Sequence, residues 1–120
     1  MASDPDNKRI LQIAYTEQLM HERATVLRRL GYHVYSVIGN QAAMDLLRFG
    51  PHFDIFIIGH SAPERTRLEM VYFLRTNHTQ SPVVALNPPG VDHLDTLRYN
   101  APVDDQDAWL AAVAAAAQSL

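Results

Sequence analysis

The chain has 120 residues, which suits one domain with a single hydrophobic core and leaves no room for a second. A formal net charge of −3 carries no electrostatic footprint for nucleic acid. The absence of cysteine removes disulfides, thiolate nucleophiles and cysteine-based zinc sites together and is compatible with a reducing cytoplasm. No apolar run approaches a membrane span, and the polar start MASDPDNKR has no signal-peptide core, so a cytoplasmic location is expected.

In chain order, residues 1–8 read as a flexible leader and 9–120 as one domain. RILQIAY, with Ile10, Leu11 and Ile13, is of strand length. Thr16 is a candidate N-cap for a first helix in which Leu19, Val26, Leu27 and Leu30 recur at helical spacing, Arg28 and Arg29 fill the last turn and Gly31 is a left-handed stop. YHVYSV reads as a second strand, and Asn40 is expected to cap QAAMDLLRF before Gly50 and Pro51 end it. DIFII is a third strand, residues 64–76 place Leu68, Val71 and Leu74 on one helical face, and PVVAL is a fourth strand. The acid-led, alanine-rich DDQDAWLAAVAAAAQSL closes the chain as a helix.

Strands alternating with helices predict an α/β domain with a doubly wound parallel sheet. The stretch VDHLDTLRYNAPVDD, residues 91–105, is about half of what a further helix and strand require. It predicts a short or irregular fourth helix and a short edge strand near Leu97 to Ala101.

The order of these elements, with LRRLGYHVYSV, FDIFII followed by a loop with Pro63, PVVALN and the acid-led last helix, resembles a CheY-like response-regulator receiver domain over nearly the whole chain. ALNPPG and IIGHSAP resemble a divergent group of small stand-alone bacterial receivers. The resemblance implies a flavodoxin-like sheet of five strands in order 2-1-3-4-5. It also implies a site at the carboxyl ends of the strands: an acidic pair holding magnesium, an aspartate that accepts a phosphoryl group, a Thr or Ser, and a lysine. A carboxylate must attack phosphorus while cations neutralise the accumulating oxygen charge.

Carried over residue by residue, the acidic pair falls on Ala14 and Tyr15, the acceptor on Gly59, the Thr or Ser on Asn87, and the lysine on Ala101 or Pro102. The one lysine of the chain is Lys8, ahead of the first strand. The expected protein is therefore a pseudo-receiver, with no catalytic residue, metal or cofactor, acting as a phosphorylation-independent interaction module in bacterial two-component or phosphorelay signalling. The competing readings are phosphorylation at an atypical acceptor and a small-molecule sensor using the vacated crevice.

Tyr15, His60, Asn87, Pro88 and Pro89 form the candidate surface for a protein partner, with no nucleic acid or membrane expected and a homodimer left open. The alternative is that Tyr15 leans over Gly59 and these residues fill the crevice. His60 reads as a local hydrogen-bonding group, since no second histidine stands at metal-ligand spacing. Ser61 reads as a loop or capping hydroxyl, Pro89 and Gly90 as a turn, and Asp104, Asp105 and Asp107 as helix-capping acids. Trp109 is buried or exposed according to whether the last helix packs on the sheet or meets a partner.

Overall fold

The computed structural model describes residues 8–120, so the expected leader lies, but for Lys8, outside the described residues. The strands are β1 (Arg9–Ala14), β2 (His33–Ile38), β3 (Ile55–Ile58), β4 (Val83–Asn87) and β5 (Tyr99–Pro102). The helices are α1 (Met20–Arg29), α2 (Asn40–Phe49), α3 (Glu64–Asn77) and α4 (Gln106–Gln118). All neighbouring strands pair in parallel, in the order β2-β1-β3-β4-β5.

The alternation of strand side chains sorts the core into two layers. Ile10, Ile57 and Leu86 pack with Leu27 of α1 and Trp109 and Val113 of α4. Leu11, Ile13, Phe56 and Ile58 pack with Ala43 of α2 and Met70, Val71 and Leu74 of α3. Strand β3 is buried at every position because helices cover both its faces. Trp109 is buried, which makes its side of α4 a packing face.

Local signals account for most element ends. Gly31 has φ 102°, a left-handed conformation that a side chain would resist, and it follows α1 as expected. Gly90 has φ 87° in the turn closed by the Val91 amide on the Pro88 carbonyl at 3.1 Å. Asp105 caps α4, its Oδ1 accepting from the Ala108 amide at 3.0 Å.

Two expected caps are overturned. Thr16 does not cap α1, which begins at Met20 after Leu19 in a left-handed conformation of φ 64° with no side-chain cap. Met20 is buried at the helix start, with its amide on the Glu17 carbonyl at 3.1 Å. Asn40 does not cap α2 either, because Gly39 precedes the helix and the Asn40 side chain is committed elsewhere, as described below.

The link from β4 to β5 contains turns and no regular helix. Leu94 and Leu97 are buried there, and Asn100 ties the segment together by accepting from the Leu94 amide at 2.8 Å and donating to the Leu97 carbonyl at 2.8 Å. A pair between Arg75 and Asp95 at 2.7 Å fastens it to α3. The bonds of Asn100 and Asp95 hold the segment in place of a helical ladder, and the edge strand starts at Tyr99, two residues later than expected.

Candidate functional site at the carboxyl ends of the strands

The parallel sheet brings the carboxyl ends of β1, β3, β4 and β5 to one edge, and with them Ala14, Tyr15, Gly59, Asn87, Ala101 and Pro102. Leu86 lies opposite Ala101 and Asn87 opposite Pro102. The Gly59 amide donates to the Ile13 carbonyl at 2.8 Å, which holds the residue after β3 against the end of β1. A Cβ at Gly59 would lie 3.3 Å from the Ile13 oxygen, 3.4 Å from the Ala14 Cα and 3.9 Å from the Tyr15 ring. Tyr15 therefore stands beside Gly59.

The group that fills this edge is Arg67 of α3, only 3% exposed. Its Nε donates to the Gly59 carbonyl at 2.7 Å, and its Nη2 donates to the Leu86 carbonyl at 2.8 Å and to Asn87 Oδ1 at 3.0 Å. One guanidinium thus joins the ends of β3 and β4 and satisfies two carbonyls and an amide oxygen. Burial lowers the Arg67 pKa, with Tyr15 and Glu64 acting the other way. An arginine still keeps its charge.

Asn87 is fully buried, which corrects its assignment to a partner-facing surface. Besides accepting from Arg67, its Nδ2 donates to Asn100 Oδ1 at 3.0 Å and to the Asp92 carbonyl at 3.3 Å. These bonds turn the side chain inward. Tyr15, His60 and Pro88 are partly exposed and Pro89 is exposed.

Tyr15 is fixed by its hydroxyl, which donates to Asn40 Oδ1 at 2.7 Å, while Asn40 Nδ2 donates to the Thr66 carbonyl at 2.8 Å. This chain joins β1, α2 and α3. Burial pushes the Tyr15 pKa up to about 12, with the Arg67 charge opposing it. His60 pairs with the neighbouring Ser61 hydroxyl at 3.2 Å, and its Nδ1 is enclosed without a partner. Burial lowers the His60 pKa, and Arg23 and Arg67 lower it further.

A second polar group lies on the α1 side. Gln12, buried in β1, donates to the Met20 carbonyl at 3.2 Å and to Ser36 Oγ at 3.0 Å, and its Oε1 accepts from Arg23 Nε at 3.0 Å. Arg67 and Arg23 were both missed in the sequence. Their signal was position, since Arg67 falls on the stripe of Met70, Val71 and Leu74, and Arg23 on that of Met20, Ala24 and Leu27.

The residues at this edge do not fit magnesium. Ala14, Tyr15 and Gly59 bring no carboxylate, and the cation requires oxygen ligands in near-octahedral geometry. Among the described residues no group of three or more His, Cys, Asp or Glu could hold a metal ion. No helix among them is long and apolar enough to cross a membrane.

No family model and no curated protein sequence matches the chain. Solved structures do. The signal receiver domain of an HD domain-containing protein from Pseudomonas fluorescens Pf-5 superposes with a TM-score of 0.79 at 15% identity, covering 93% of this chain and 95% of that one. The chemotaxis response regulator CheY4 of Vibrio cholerae gives 0.77 at 14% identity, with 91% and 98% covered. The response regulator TrrA of Thermotoga maritima, in complex with the histidine kinase ThkA, gives 0.77 at 17% identity, with 90% and 97% covered. The chain has the fold of CheY-like receiver domains, and at these identities the fold is what is shared.

Proposed function

We propose that the protein is a phosphorylation-independent pseudo-receiver, a non-enzymatic module that binds a protein partner in bacterial two-component signalling. The observation that carries this reading is the seat of Arg67 on Gly59, Leu86 and Asn87. Phosphoryl transfer to a receiver requires a nucleophilic carboxylate and cations that stabilise the charge developing on the phosphoryl oxygens. At this edge the residue after β3 is glycine, and the cation present has its Nε and Nη2 engaged by protein oxygens.

An internal cation bonded to both strand ends also works against switching. A signal-driven rearrangement needs a ligand that interacts differently with two states. Arg67 joins the ends of β3 and β4 through Gly59, Leu86 and Asn87, which favours one arrangement of the strand-end loops. Rigid loops lose little entropy on binding, which suits a constitutive contact surface made by Tyr15, His60, Pro88 and Pro89. The kinase seen on the TrrA receiver supports a protein as the class of partner.

The test is incubation of the full chain with acetyl phosphate and magnesium, followed by intact-mass spectrometry at neutral pH. No phosphoryl adduct is expected, either in the native protein or in Gly59→Asp, because the variant still lacks the metal ligands. A single adduct on the native chain would overturn the reading, whichever residue carried it.

A further inference from the structure

Arg23 is 7% exposed, and the only hydrogen bond of its side chain among the described residues is from Nε to Gln12. No carboxylate of the described residues lies within 4.0 Å of its guanidinium. The enclosed side-chain atoms without partners are Arg9 Nε and His60 Nδ1, so the terminal nitrogens of Arg23 are not sealed in the core. Arg23 lines a cleft of about 180 Å³ between α1 and the β5–α4 connection.

The chemistry of this cleft is graded. Its apolar walls are Leu19, Val26, Val103 and the Trp109 ring, and the exposed carboxylates of Glu22 and Asp104 also line it. A nearly buried guanidinium lacking an anion is an incomplete arrangement, because buried charges are normally paired. Its planar fork matches a carboxylate. A purely anionic ligand would meet repulsion from Glu22 and Asp104, and a purely cationic one would leave Arg23 unpaired. The volume is below the roughly 300 Å³ at which pockets for drug-sized ligands begin, so the occupant is small. Leu19, at the cleft, holds a left-handed φ of 64°, a conformation disfavoured for a leucine and concentrated at ligand sites.

We propose that this cleft binds a small zwitterion of the aliphatic α-amino acid class, with its carboxylate on Arg23, its ammonium facing Glu22 and Asp104, and its side chain along Trp109 and Val26. The cleft lies on the α1 and α4 side of the sheet, and its Arg23 also bears on His60 of the surface proposed above, whose pKa it lowers.

Trp109 is the only tryptophan of the chain and lines the cleft, so its fluorescence reports occupancy directly. The full chain would be titrated with leucine and valine, and with two fragments that each lack one charge, isocaproate and isoamylamine. The expected result is a saturable change with at least one of the amino acids and binding at least about tenfold weaker for each fragment. Arg23→Gln is expected to abolish the response, and the exposed Asp104→Asn, which keeps the fold, to weaken it. An absent response to both amino acids, fragments that bind equally well, or full binding by either variant would overturn the proposal. The titration contains neither magnesium nor a phosphoryl donor, so its outcome is separate from the mass test of the interaction module.

Discussion

Arg67 and Arg23 stand on the buried stripes of two helices on opposite faces of the sheet, yet their surroundings differ. Arg67 reaches across the strand ends and makes three hydrogen bonds, two of them to main-chain carbonyls. Arg23 makes one, to the side chain of Gln12, and otherwise lines a cleft. The contrast separates two uses of a buried charge. A guanidinium tied to the backbone fastens the fold, and one left with open nitrogens is available to a ligand.

The largest expected effect tests that contrast directly. Arg67→Ala leaves the carbonyls of Gly59 and Leu86 and the Asn87 amide oxygen without their donor in a buried setting, which is expected to cost about 4 kcal/mol. Arg23→Ala, which strands one amide oxygen beside an opening, is expected to cost about 1–2 kcal/mol. Chemical denaturation measures both. Equal losses would break the comparison, and an Arg67→Ala loss below about 1 kcal/mol would remove its role as a fastener.

A smaller loss than that of Arg67, though larger than that of Arg23, is expected for Ile57→Ala. Ile57 is buried in the central strand β3, between Gln12 of β1 and Val84 of β4. Transfer and cavity terms together predict about 3 kcal/mol. If the truncation is milder than Arg23→Ala, the Arg23–Gln12 pair fastens the fold more than a fully buried strand residue does, and the contrast must be redrawn.

The apolar layers were readable because each residue type declares its own environment. Ile10, Leu11 and Ile13, or the run from Ile55 to Ile58, have one stable place in a covered parallel sheet. The strand-end site was readable only as a set of missing groups. Arg67 stands one helical turn before Val71 on the buried stripe, but arginine is nearly always exposed, so its residue type argued against turning it inward. Its partners are carbonyls of Gly59 and Leu86, which any residue type supplies and no sequence pattern marks. Asn40 was misread for a related reason: a residue well suited to capping bonds instead to Tyr15 and Thr66, groups distant in the chain. The β4–β5 link was legible as too short, but the part played by Asn100 in holding it was not.

The smallest effect concerns Tyr15, whose hydroxyl closes the strand-end site on the α2 side and sharpens the contrast by pH. Its pKa is raised from 10.0 to about 12, with burial as the main cause. Between these values the unfolded chain releases this proton while the folded chain keeps it, so the unfolded state binds fewer protons and stability falls as pH rises. Below pH 10 the group contributes no slope. Tyr32 is also raised by burial and adds to the same alkaline loss, so the native protein alone cannot isolate Tyr15. Tyr15→Phe does so: at neutral pH it loses the bond to Asn40, worth about 1 kcal/mol, and it no longer has a phenol to ionise. The native and variant stability curves are therefore expected to converge and then cross as pH climbs from 10 to about 12. Curves that stay parallel across that window would mean that Tyr15 ionises as freely in the folded chain as in the unfolded one, and that the strand-end site is open to water where the hydroxyl meets Asn40.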